Sequence, residues 1–233
     1  MKPEPKALPQ ALQRQLAFSL PARAQFHRDD FFTSPANATA LAALEDWRRW
    51  PGGKLVLIGP EGSGKTHLAH IWAAMAGAMI VAVRDLAALD PAPLSGRAVV
   101  VDNAAGVAGD PAAETALLHL HNLVTQGGHL LLTASRPPRD WGLRLPDLGS
   151  RLMAAPLAQV QAPDDALLAA VLVKLFADRQ IAVHSTLIPY LIVRMDRSIG
   201  AAQALVAALD AAALARGGPV SRALAAKVLA SGE

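Results

Sequence analysis

The string GPEGSGKT, residues 59–66, constrains the fold of this chain more than any other feature. It satisfies G-x-x-x-x-G-K-[ST], follows the apolar run KLVLI (54–58) and runs straight into THLAHIWAAMA (66–76). A strand, a glycine turn and a helix in that order make a loop whose backbone amides converge on one point. Gly62 and Gly64 let the backbone curl, and the helix N-terminus adds positive potential where phosphate oxygens would lie. Lys65 reaches toward β/γ-phosphates and Thr66 offers a hydroxyl to Mg²⁺. The nucleotide-binding set is therefore Gly59, Pro60, Glu61, Gly62, Ser63, Gly64, Lys65 and Thr66, with His67 next on the helix.

Such a loop needs neighbouring strands, and the sequence supplies them. AMIVAV (78–83), AVVV (98–101) and HLLLTA (129–134) read as buried strands, with a short fifth near AQVQ (158–161). Between the third and fourth lies a helix opened by Asp110-Pro111 and closed by Gly127-Gly128. Upstream, Ser34 as N-cap and Pro35 at the first helical position predict a helix through Trp50, stopped by Pro51-Gly52-Gly53. Apolar strands alternating with helices imply a parallel sheet covered on both faces. After Pro163 the text turns wholly helical: DDALLAAVLVKLFADRQ, STLIPYLIVRM, SIGAAQALVAALDAAALAR and SRALAAKVLA. Asp164 and Asp165 suit the first turn of the first of these. The expected class is α/β, a parallel five-stranded sheet with helices on both faces, followed by a small all-helical domain. The expected divisions are a tail at 1–25, the nucleotide-binding domain at 26–161 and the helical domain at 162–233.

Composition narrows the function. No apolar run reaches the ~18–20 residues of a membrane helix; the longest, IWAAMAGAMIVAV, is split by Gly77. The opening MKPEPKALPQ has prolines where a signal peptide needs an apolar stretch. Cysteine is absent, which excludes disulfides and thiolate metal sites and fits a soluble cytoplasmic protein away from membranes. Residues 1–28 carry Lys2, Lys6, Arg14, Arg23 and Arg28 against Glu4 alone, so the remainder of this +3 chain sums to about −1. A nearly neutral body has no basic face for gripping a duplex; any DNA contact is expected to be weak, non-specific and confined to the tail.

VVVDNAAG (99–106) adds the second half of the site. Asp102 ends an apolar strand and is placed to share a magnesium shell with Thr66. Asn103 follows where a second acid is usual. An amide can hydrogen-bond a water but cannot take its proton, so weak intrinsic hydrolysis at most is expected. The pairs His67/His70 and His119/His121 lack a third ligand, and the latter's two-residue offset points to different helix faces.

GPEGSGKTHLAHIWA, VVVDNAAG, LLHLHNLVTQGGHLLLTASRPPRDW and LPDLGSRL together resemble the AAA+ ATPases, specifically the DnaA-related replication proteins, over roughly residues 26–230. Within them the chain is most similar to the shortened regulators that inactivate DnaA (the Hda group), which share the Asp-Asn pair and the ending after the helical lid. The resemblance implies an AAA+ domain with a helical lid, bound ADP (or ATP) and Mg²⁺. It implies that Arg151 is an arginine finger acting on a neighbouring subunit's nucleotide and that Arg197 is the second sensor reaching the chain's own. The first sensor lies on the strand near Thr133 and Ser135, with Ser135 where the initiators commonly carry Asp. Phe31, Phe32 and Asn37 fall where the family wraps the base.

In RQLAFSLP (14–21), Gln15, Leu16, Phe18 and Leu20 resemble the short peptide that enters the pocket of the DNA polymerase III sliding clamp (beta subunit). The implied partners are the initiator DnaA and that clamp, with a homo-oligomer possible. The implied task is negative regulation of replication initiation, by speeding DnaA's ATP hydrolysis. Two rivals stand beside it: an AAA+ helicase loader or adaptor, which needs no clamp peptide, and a self-sufficient P-loop ATPase, which would turn over rapidly alone.

Overall fold

The computed structural model describes residues 31–230. Its centre is a five-stranded sheet with every strand parallel: β1 (Lys54–Ile58), β2 (Met79–Ala82), β3 (Ala98–Asp102), β4 (His129–Ala134) and β5 (Leu157–Gln159), in the order β2-β3-β4-β1-β5. Lys54 pairs with Leu130 and Ile58 with Ala134, so β1 and β4 run level for their common length.

The apolar strand text is explained by burial on two sides. Val56, Val99, Val101, Leu130 and Leu132 face one cluster, with Leu117, Leu120, Leu148 and Leu152 from α3 (Pro111–Val124) and α4 (Pro146–Met153). Leu55, Leu57, Val100 and Leu131 face the opposite cluster, with Leu41, Leu44, Leu68 and Trp72 from α1 (Ala38–Glu45) and α2 (Lys65–Ala76). Residues i and i+2 share a face, so a continuous apolar run serves both layers. A third cluster forms among α5 (Asp165–Asp178), α6 (Leu187–Ile192), α7 (Ile199–Arg216) and α8 (Arg222–Ala230), centred on Leu172, Phe176, Leu191, Val206 and Leu209. Asp164 and Ser198 cap α5 and α7, their side chains accepting from Leu167 N–H and Ala201 N–H. By length and composition alone α7 would pass as a membrane span; here Ala202, Leu205, Val206 and Leu209 are buried in the third cluster.

One expectation needs correction. The helix predicted from Pro35 to Trp50 is α1, only Ala38–Glu45, followed by short 3₁₀ turns at Trp47–Arg49 and Pro51–Gly53. Ser34 opens a turn instead: its Oγ accepts from Ala36 N–H, and its carbonyl accepts from the N–H groups of both Asn37 and Ala38. At the other end Trp50 folds back, stacking on Trp72 at 5.0 Å and donating its indole N–H to the Ala43 carbonyl. The stretch PDLGSRLM, to which the sequence assigns no element, forms α4. Pro146 sits in its first turn, and Leu148 and Leu152 are fully buried.

Candidate nucleotide site

The phosphate loop leaves the carboxyl end of β1 and closes into α2. Gly62 (φ 69°) and Gly64 (φ 99°) occupy left-handed conformations that a side chain would strain. Gly59 is required for a different reason: a Cβ there would lie 2.3 Å from the Val160 carbonyl oxygen. Lys65 folds over the loop and donates from Nζ to the carbonyls of Gly59 (2.8 Å) and Pro60 (2.7 Å). Burial pushes its pKa down, while Asp102 and Glu61 pull the other way. Ser63 is buried and its Oγ has no hydrogen-bond partner among the described residues.

Across the loop, strands β3 and β4 deliver the acid and its support. Thr66 Oγ1 donates to Asp102 Oδ2 at 3.0 Å. Thr133, buried on β4, donates its hydroxyl to Asp102 Oδ1 and in turn accepts from the Asn103 N–H at 2.8 Å. The carboxylate is thus oriented by two hydroxyls. Asn103 has φ 55°, ψ 43°, a left-handed turn that Asn tolerates better than most residues. Thr66 and Asp102 present hard oxygens of the kind Mg²⁺ takes, and the curled loop with Lys65 fits a phosphate chain. A bound nucleotide would supply the labile phosphoanhydride; these residues would hold the phosphates and the ion.

The start of α7 sits directly on this loop. Ile199 N–H donates to the Gly62 carbonyl at 2.7 Å. A Cβ on Gly62 would lie 2.4 Å from Ser198 Cβ, and one on Gly64 would lie 3.1 Å from the tip of Ile199. Arg197 immediately precedes this contact. Its guanidinium pairs with Asp165 Oδ1 at 2.7 Å and donates to the Pro163 carbonyl at 3.3 Å, at the joint between the sheet and α5. On the far side of the loop, Phe31 meets His67 edge to face at 5.3 Å. Asn37 is buried, accepting from Ser34 N–H and donating to the Phe32 carbonyl. Ser135 is exposed beyond β4.

Arg151 stands apart, on the last turn of α4. Its carbonyl accepts from Lys54 Nζ at 3.0 Å. Lys54 is the first residue of β1, and the phosphate loop begins after the last. Arg151 NH2 makes a long 3.4 Å contact with Asp147 Oδ2, and Nε is buried with no partner among the described residues. The side chain is 42% exposed. The loop into α4 is fixed by Glu114, a buried carboxylate accepting from the N–H groups of Gly109, Arg144 and Leu145.

The structure therefore brings together Gly59–Thr66, His67 and Asp102, sets Arg197 at their border, and places Arg151 elsewhere. Gln15, Leu16, Phe18 and Leu20 lie outside the described residues. Among the described residues no group of three or more His, Cys, Asp or Glu is arranged to hold a metal. Sequence reasoning missed Ser198 and Ile199, which carry no chemical signature, and the support that Lys54, His121 and Glu114 give to α4.

A phosphate loop after β1, an acid at the end of β3 with β4 between the two strands in a 2-3-4-1-5 parallel sheet, and a helical unit seated on the loop define an AAA+ P-loop fold. Solved structures of DnaA and of RuvB share that fold. Domain III of the replication initiation protein DnaA from Thermotoga maritima aligns over 89% of this chain and 97% of its own, with TM-score 0.78 and 17% identity. AMPPCP-bound DnaA from Aquifex aeolicus aligns over 80% of this chain and 65% of its own, with TM-score 0.68 and 14% identity. A single-site variant of RuvB from Thermotoga maritima aligns over 87% and 71%, with TM-score 0.66 and 17% identity. At these identities the likeness establishes the fold. No family model matches the chain.

Proposed function

We propose that this chain is a nucleotide-bound regulator of replication initiation, which docks on the DNA-loaded sliding clamp and accelerates ATP hydrolysis by DnaA. In this reading Gly59–Thr66, Asp102 and Arg197 hold ADP (or ATP) with Mg²⁺, and the nucleotide keeps the lid seated. The AMPPCP in the Aquifex aeolicus DnaA structure supports an adenine nucleotide as ligand. Arg151 acts outward, on the phosphates held by the partner, and the peptide containing Gln15, Leu16, Phe18 and Leu20 recruits the chain to the clamp.

One observation carries the reading: Arg151 is half-exposed at the end of β1 opposite the phosphate loop, its guanidinium making a long contact to Asp147 among the described residues. A guanidinium so placed has no role at its own nucleotide but suits one across a subunit boundary. There it would offset charge developing on the transferring phosphoryl group, an effect worth ~10³–10⁵ in rate. Asn103 fits the same division of labour, since a chain that acts on a partner's ATP needs no second acid of its own.

The test is DnaA ATP hydrolysis with DNA-loaded clamp, with and without this protein and its Arg151→Ala variant. Stimulation by the natural chain and none by the variant is expected. Equal rates with and without the natural chain would refute the proposal.

A further inference from the structure

Behind Arg151 lies a cluster with no part in nucleotide binding. Lys54 Nζ lies 3.0 Å from the Arg151 carbonyl oxygen and 3.1 Å from Nε2 of His121, at the end of α3. His121 is only 3% exposed, and its Nδ1 lies 3.2 Å from Asn122 Oδ1. An ammonium has protons only to give, so Nε2 accepts and the ring is neutral, with Nδ1–H donating to Asn122. Burial, Lys54 and Arg151 all push its pKa below the ordinary 6.5 (hydrogen bonding to Asn122 opposes them), in keeping with that assignment.

The arrangement has two physical consequences. The last carbonyls of a helix lack intrahelical donors, and a cation there is favourable; Lys54 fills that role for α4 at residue 151 itself. It also sets a positive charge behind a second one. Burial and the Arg151 charge both push the Lys54 pKa below its ordinary 10.5. The like charges disfavour any turn of the guanidinium back toward the sheet. Asp147, one turn earlier on α4, is the one anion in contact with it among the described residues.

We propose that Lys54 and His121 are positioning residues for Arg151: the imidazole holds the ammonium, the ammonium fixes the carbonyl of residue 151, and the guanidinium is thereby aimed outward. The purpose assigned to this device rests on the reading of Arg151 as a group that acts on a partner. Its mechanical half stands on the contacts alone.

The experiment pairs two readouts on the full chain. The first is stimulation of DnaA ATP hydrolysis on DNA-loaded clamp, as maximal rate and half-saturating concentration separately. Lys54→Met and His121→Leu are expected to lower the maximal rate about ten- to a hundredfold, the scale of ~1 Å misplacement, with unchanged half-saturation and ADP affinity. Lys54→Arg and His121→Gln, which keep a donor and an acceptor, are expected to recover most of it. The second is NMR hydrogen exchange at the buried Arg151 Nε–H, expected to quicken at least tenfold in Lys54→Met and to stay slow in Lys54→Arg. Wild-type values for Lys54→Met in both readouts, with Arg151→Ala inactive, would overturn the positioning role. If Arg151→Ala stimulates normally, the partner-directed reading falls, and the exchange rates alone decide whether Lys54 orders residue 151.

Discussion

Replacing Gly62 by Ala tests how the helical unit engages the phosphate loop. The new Cβ would lie 2.4 Å from Ser198 Cβ and 2.7 Å from Ser198 Oγ, but 3.5 Å from Ser198 Cα. Carbon atoms pack at about 3.5–4.0 Å, so the first two approaches are impossible and the third is ordinary. The start of α7 must lift, breaking the bond from Ile199 N–H to the Gly62 carbonyl, worth about 1 kcal/mol. Alanine at φ 69° adds about 1–2 kcal/mol of backbone strain. With lost packing, the expected destabilisation is about 2–4 kcal/mol. Ser198→Gly removes the two offending atoms and costs only a few tenths of a kcal/mol as an N-cap change. The Gly62→Ala/Ser198→Gly chain should therefore regain about 1–2 kcal/mol, leaving the backbone strain behind. Chemical denaturation gives the four stabilities of the cycle, and ADP titration shows whether affinity follows the same pattern. A double variant no more stable than Gly62→Ala would refute the argument, because steric contact with Ser198 would then not be the cause.

Lys65→Ala should abolish measurable ADP binding by calorimetry while leaving the melting temperature nearly unchanged without nucleotide, since the ammonium's present partners are two loop carbonyls. Arg197→Ala should shift unfolding by less than about 1 kcal/mol, as the Asp165 pair is largely exposed, yet weaken ADP binding. Unchanged affinity would leave Arg197 as a tie between α7 and the joint. Glu114→Gln puts an amide NH₂ against backbone N–H groups and should cost about 3 kcal/mol in urea denaturation. Burial pushes the Glu114 pKa up, but the Arg144, Gly109 and Leu145 N–H groups and the Arg144 charge outweigh it, so the folded value lies below the ordinary 4.5. The unfolded chain then binds more protons between those values. Stability should be intact above about pH 4.5 and fall as acid approaches the folded value, a limb that Glu114→Gln lacks.

The sheet was legible because parallel strands covered on both sides leave continuous apolar text; β1 and β4 match KLVLI and HLLLTA residue for residue. The phosphate loop was legible because its glycines and Lys65 are fixed by local geometry. What escaped was set by tertiary contacts. Trp50 ends α1 by reaching back to Ala43, a bond that no propensity records. Helix α4 contains Gly149 and owes its place to Leu148 and Leu152 in the core and to the grip of Glu114 on the preceding loop. His121, weighed in the sequence only as a metal ligand, instead accepts from a lysine 67 residues away in the chain. Asn103 drew notice as a missing acid, but its backbone also has a part, turning left-handed so that its N–H supports Thr133.

Strand β1 has five residues, so about 13 Å of backbone separates Lys54, beneath Arg151, from the mouth of the phosphate loop. The molecule therefore sets the half-exposed Arg151 at one pole and the phosphate loop at the other. If both poles work as proposed, contacts between such units are one-way couplings, never face-to-face pairs with matching halves. A row of them would always keep one unspent cation at its leading end and one uncovered receptor at its trailing end. That direction is built into how a single short strand is threaded through the sheet.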